Sequence, residues 1–240
     1  AFRESVLSGL GLGLFPTDTD NKLDDLGEVR IREMDAGRIS LQVVSHNTAA
    51  PVSSVDVHRR SNDQLYEARR SWHAAPKEMM PHYEGDYDAT TANVLATYGW
   101  GWHSDTGLQV IRFFTSGFFD RFPRLKIIIG HMGEMVPFMH DRILHFESHF
   151  GQHKHGWTTV WNENIWITTS DMFTLPTLIY ALRNTKKDRI LYSVDYPYET
   201  NLDGKKFMED VQKSGLLTQE ELEMVAYSHS RFSENLRTGT

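Results

Sequence analysis

The clearest pattern along the chain is the alternation of short apolar runs with amphipathic stretches in its second half. RLKIIIGHMGE (124–134) predicts a buried strand from Leu125 to Ile129 that breaks at Gly130. VPFMHDRILHFESHF (136–150) follows at helical spacing, with Pro137 tolerated in the first turn. ENIWITTS (163–170) reads as a second strand and TLPTLIYALRN (174–184) as a second helix. DRILYSVDYP (188–197) predicts a third strand, Ile190 to Val194, and an acidic helix covers about 203–228. Three consecutive strand-then-helix units of this size imply parallel strands joined by helical crossovers.

The first half is less regular. Leu23, Leu26, Val29, Ile31 and Met34 fall at near-helical spacing, with Gly37 as the stop. ISLQVVSHN (39–47) is β-rich, and SVDVHRRSNDQLYEARR (54–70) is a polar helix. Residues 71–86 form an irregular loop opening on His73, and GLQVIRFFTSGFFDRFP (107–123) is helical, closed by its Phe-Pro pair. The run SVLSGLGLGLF (5–15) lies behind the single positive charge of Arg3, contains three glycines and has no small-x-small cleavage site. It is therefore read as a helix or loop near a barrel mouth and not as a secretion signal.

Composition narrows the classes. The 240 residues approach the roughly 250 typical of one (β/α)₈ barrel. With no Cys there is no disulfide framework or thiol nucleophile, which fits a reducing, cytoplasmic setting. A net charge of -7 argues against nucleic-acid binding, and no run approaches the ~18 apolar residues of a membrane helix. Twelve histidines direct attention to metal.

In parallel α/β folds ligands gather at the carboxyl ends of strands. Those ends carry His131, Ser170 and Asp195, and His73 sits where a strand would end at residues 71–72. Imidazoles and a carboxylate form a set suited to Zn²⁺ or Mn²⁺. His145, His149 and His153 would share one solvated helical face if the helix persisted. His153-Lys-His155 is an H-x-H in a loop, and Glu147-Ser148-His149 an E-x-H; neither lies on an apolar strand.

FDRFPRLKIIIGHMGEMVPFMHDRI (119–143), NIWITTSDMF (164–173) and DRILYSVDYPYE (188–199) together resemble the metal-dependent aromatic-acid decarboxylase branch of the amidohydrolase superfamily. The resemblance implies a (β/α)₈ TIM barrel, one domain over 1–240, assembled as a homodimer or homotetramer. It implies His73 and Asp195 as metal ligands and His131 as the active-site histidine beside or on the metal. Glu134 would orient His131, and Arg142 would meet a substrate carboxylate. Either Asp195 or His131 would then supply the proton that replaces CO₂ on the ring of a small aromatic acid. A hydrolase of an amide or lactone, with Asp195 as general base, and a non-catalytic homologue are the alternatives. Against the family pattern the barrel is expected to be incomplete. The strand preceding a segment like AFRESVL is missing, and a gap falls at Arg70–Ser71, leaving about five strands.

Overall fold

The computed structural model describes residues 28–37 and 83–227. The described residues fall into two units, one of 83–106 and the other of 28–37 with 107–227. The expected strand at 39–47, the helix at 54–70, His73 and the Arg70–Ser71 junction lie outside the described residues.

In the second unit, helix α1 spans Glu28–Gly37. In the first, helix α2 covers Ala89–Ala96, its start capped by Asp88, whose carboxylate accepts from the Thr91 amide at 2.7 Å. Helix α3, Gly101–Thr115, and the short α4, Phe118–Arg121, replace the single helix expected over 107–123. The interruption is Gly117, which takes φ 69°, a left-handed conformation that glycine adopts without steric cost. Phe122 caps α4 and the following proline prevents continuation, as its Phe-Pro pair predicts.

The sheet has three parallel strands in the order β1 (Ile127–Ile129), β2 (Ile165–Thr168) and β3 (Ile190–Leu191). Register pairs Ile127 with Ile165 and Ile129 with Ile167 across the first interface, and Ile167 with Ile190 across the second. Ile129, Ile165, Ile167 and Ile190 are buried, and the central strand β2 is buried on both faces, whereas Ile128 of the edge strand β1 is exposed. All three strands are shorter than their apolar runs suggest: β1 loses Leu125 and Lys126 at its start, whereas β3 stops at Leu191, short of the expected Val194.

Helix α5, Val136–Phe146, follows β1 with Pro137 in its first turn. It passes into a 3₁₀ turn at Glu147–His149 instead of continuing to residue 150. Helix α6, Trp157–Asn164, was not expected: WTTVWNEN holds threonines, valine and asparagines, all weak helix formers. Burial overrides propensity here, since Trp157 and Trp161 stand one turn apart and are fully enclosed. Asn164 ends that helix and donates through Nδ2 to the carbonyls of Pro123 and Leu125, at 2.9 and 2.7 Å, locking the approach to β1 beside β2.

Helix α7, Leu175–Asn184, matches its expected span, and Asn184 donates to the Pro137 carbonyl of α5 at 2.9 Å. The acidic helix expected over 203–228 is two helices. Helix α8, Asn201–Ser214, stops at Gly215, whose φ of 68° makes a left-handed cap, and a further helix, α9, occupies 219–227. Close approach joins α8 to α1: a Cβ on Gly37 would lie 2.5 Å from the Asn201 Cβ. Three β-then-α units thus follow one another in the arrangement of a (β/α)₈ barrel wall. No helix among the described residues is long and apolar enough to cross a membrane.

Candidate active site

The turn after β1 is built for close quarters. His131, Met132, Gly133 and Glu134 all take positive φ, at 48, 54, 80 and 58°. A Cβ on Gly133 would lie 2.8 Å from Ile167 Cγ2 and 3.0 Å from Pro137 Cγ, so only glycine lets the turn rest on β2 and α5. The coil folds Glu134 back on His131: His131 Nδ1 donates to Glu134 Oε1 at 2.8 Å. Glu134 is almost buried, with a side chain 5% exposed, which fixes the imidazole in plane.

Asp195 arrives from the loop after β3, with φ 76°. Its Oδ2 stands 3.5 Å from His131 Nε2. The loop is held by the Tyr198 amide donating to the Asp195 carbonyl at 2.9 Å. Thr169 joins β2 to β3 from the other side, donating to the Ser193 carbonyl at 2.8 Å and accepting from the Ser193 amide at 3.0 Å. The imidazole therefore lies between two carboxylates brought from separate strand ends. Burial opposes a charge on His131, but the hydrogen bonds and negative charges of Asp195 and Glu134 overcome it and push its pKa up to about 10.

The structure thus gathers His131, Glu134 and Asp195, three of the residues singled out from the sequence. Arg142 stands elsewhere: it is exposed on α5 with its guanidinium 4.5 Å over the Phe146 ring. Among the described residues it makes no hydrogen bond or ion pair with the other three. The histidine row dissolves as the helix ends at Phe146. His145 and His149 are exposed, but His153 is half-buried against Phe114, ring centroids 4.5 Å apart, so the solvated face does not extend to it.

Two side chains beside the site went unnoticed in the sequence, Asp171 and Glu199. Burial, a hydrogen bond to Asp171 and the charges of Asp171, Asp203 and Asp195 push the Glu199 carboxyl up to about 7. Asp171 follows β2 and Glu199 follows β3, so their pairing depends on β2 and β3 being neighbours. The rule that read Ser170 and Asp195 from strand ends reaches both if extended by one to four residues.

Comparison with known proteins identifies the family. The family model described as Amidohydrolase matches residues 53–228, and the chain belongs to that family. Decarboxylase orsB of Emericella nidulans is 47% identical over 167 residues, 67% of this chain and 49% of its own. Gamma-resorcylate decarboxylase of Rhizobium sp. (strain MTP-10005) is 38% identical over 141 residues, 53% of this chain and 40% of its own. The chain therefore spans about half the length of orsB or less of such relatives. Among solved structures, the dihydroxybenzoic acid decarboxylase of Polaromonas sp. JS666, with bound manganese and 2-nitroresorcinol, aligns with a TM-score of 0.67. Identity is 21%, covering 98% of this chain and 94% of that one. That likeness is one of fold, and with the family match it makes the architecture a TIM barrel.

Proposed function

We propose that the chain carries the catalytic end of a metal-dependent, non-oxidative decarboxylase acting on a hydroxylated aromatic acid. The observation that carries this reading is the His131 imidazole held between Glu134 and Asp195 at the carboxyl ends of β1 and β3. The identity to orsB and to gamma-resorcylate decarboxylase supports the same reaction class. A cytoplasmic homodimer or homotetramer is part of the proposal.

The donor set fits a divalent ion. His131 Nε2 and Asp195 Oδ2 present a borderline nitrogen and a hard oxygen to one point, a combination suited to Zn²⁺ or Mn²⁺. His73 is the further ligand implied by the resemblance and lies outside the described residues. When bound, such an ion draws negative charge from a carboxylate and an adjacent phenolic oxygen.

The chain's own groups supply the rest. Glu134 keeps Nδ1 of His131 as the donor, so Nε2 is the nitrogen that faces the reaction. A proton joins the ring carbon that bears the carboxylate, from whichever of His131 and Asp195 is not engaged as a ligand, and the ring loses its aromaticity. The bond to the carboxylate carbon then breaks, its electron pair returns to the ring and restores aromaticity, and CO₂ leaves. Arg142, the contact for the substrate carboxylate that the resemblance implies, is not given that role in this proposal, because its guanidinium lies over the Phe146 ring on an exposed part of α5, apart from His131, Glu134 and Asp195.

The test is CO₂ release from a panel of 2-hydroxybenzoates, including 2,6-dihydroxybenzoate, by purified chain supplied with Zn²⁺ or Mn²⁺. Turnover that disappears in His131→Ala supports the proposal. A folded, metal-loaded chain that releases no CO₂ from any member overturns it, and cleavage of lactones without CO₂ would assign the hydrolase alternative.

A further inference from the structure

Away from this site, the H-x-H of the 150–156 loop meets the aspartate of α4. Three N–H groups hold the Asp120 carboxylate. Its Oδ2 accepts from the Lys154 amide at 2.9 Å, and Oδ1 accepts from the His155 amide at 3.1 Å and from His155 Nδ1 at 3.0 Å. Those bonds, with burial opposing them, hold its carboxyl below the usual range, so it is charged at neutral pH. This much is a loop clasp and needs no ligand.

His153 does not fit the clasp. Its Nε2 lies 3.0 Å from the Phe150 carbonyl, which can only accept, so Nε2 carries the proton. In the neutral ring Nδ1 is then a bare lone pair. That atom is buried without a hydrogen-bond partner, in a side chain only 8% exposed, and it faces Asp120 Oδ2 at 3.8 Å. Two electron-rich atoms confronting one another out of water are unfavourable, and the conflict is relieved either by a proton on Nδ1, which makes the contact an ion pair, or by a metal ion bound to both atoms. A separation of 3.8 Å is too long for a proton shared as a hydrogen bond. Two metal–ligand bonds of roughly 2.0–2.2 Å span it at a wide angle.

We propose that His153 Nδ1 and Asp120 Oδ2 form a second, peripheral site for a transition-metal ion of the Zn²⁺ type, completed by water. An imidazole nitrogen with one carboxylate oxygen favours Zn²⁺ over Ca²⁺ or Mg²⁺, which prefer all-oxygen shells. His155 acts from behind, since its Nδ1–H aims Oδ1 and thereby turns Oδ2 toward His153. Phe114 fixes the His153 ring from the side. The His155 side chain beside the pair is 40% exposed.

This site is independent of the proposed decarboxylase centre, and the test separates them. Equilibrium dialysis of the full chain against Zn²⁺ compares wild type, His153→Gln and Asp195→Asn. The expected result is that His153→Gln binds one equivalent fewer than wild type, while Asp195→Asn keeps the equivalent that His153→Gln loses. Equal zinc stoichiometry and affinity in wild type and His153→Gln overturns the proposal. Nitrogen NMR of the wild-type histidine rings decides the matter if the variant misfolds. Zn²⁺ should shift the His153 Nδ1 resonance, and an unmoved resonance in a tenfold excess of Zn²⁺ has the same negative meaning.

Discussion

The Nε2 of His131 lies 3.5 Å from Oδ2 of Asp195, though the two residues come from different strands with a third strand between them. The contact exists because the β1 turn coils left-handed and projects the imidazole across the end of β2, while Asp195 leans back with a positive φ of its own. Neither conformation is low in energy for a non-glycine residue. Both are held by surrounding bonds, and together they set the separation of the imidazole from the carboxylate.

Removing either partner should therefore abolish turnover without abolishing folding. His131→Ala and Asp195→Asn are expected to lower kcat for CO₂ release by at least about a hundredfold, within the range that loss of a positioned proton-transfer group produces. Circular dichroism of each variant should match wild type, because the His131 and Asp195 side chains are both partly exposed. A variant keeping more than a tenth of wild-type kcat would exclude that residue from the reaction.

Glu134 acts through His131. Glu134→Gln keeps the shape but removes the charge, so His131 loses one of the two carboxylates that raise its pKa toward about 10. The expected fall in kcat is roughly 10–100-fold, as for other groups that orient a catalytic or ligating histidine. NMR titration of the metal-free chain should find the His131 pKa lowered in the variant. An unchanged pKa would show that Asp195 alone holds the charge.

How far the sequence discloses this molecule depends on the range of the interaction. The apolar runs Ile127-Ile128-Ile129 and Ile165-Trp166-Ile167 and the Ile190-Leu191 pair announce strands because local burial and β-branching act on the residues themselves. His131 and Glu134 are legible because a glycine-flanked turn brings them together over three positions. Helix α6 is not, since its sequence disfavours a helix and only the enclosure of Trp157 and Trp161 selects one. The Gly215 break was open to reading, as a Ser-Gly pair after a lysine signals a helix stop. The pairing of Asp171 with Glu199 is beyond local pattern, because it arises from the adjacency of two strand ends.

His140 should make stability depend on pH. Burial depresses its pKa below 6.5 against the opposing charge of Asp141, and Trp157 Nε1 donates to its Nδ1 at 3.2 Å, which requires a free lone pair there. In the unfolded chain the same residue takes up a proton near 6.5. The unfolded state thus binds more protons between that value and the lower folded one, so stability should fall as pH drops through this window and level off below it. Urea unfolding at a series of pH values measures the slope. His140→Gln removes this group's share of the slope, and a slope unchanged by the substitution would mean that other groups carry it.

Gly133 offers the sharpest test of how the fold presents the site. Alanine there meets two penalties that can be estimated separately. A φ of 80° costs a Cβ-bearing residue roughly 1–2 kcal/mol. Contact at 2.8 Å with Ile167 Cγ2 and 3.0 Å with Pro137 Cγ adds overpacking worth roughly 1–3 kcal/mol, since one neighbour lies on a central strand and the other in the first turn of α5. Destabilisation of about 2–5 kcal/mol by chemical denaturation is expected from the two together. Any relaxation must push the turn off β2, which moves His131 relative to Asp195. Gly133→Ala that remains folded should therefore lose activity more than stability alone explains, since displacement by about 1 Å costs on the order of a hundredfold in rate. A folded variant with wild-type turnover would show that the left-handed coil at 131–134 tolerates the shift and that the placement of His131 is set elsewhere.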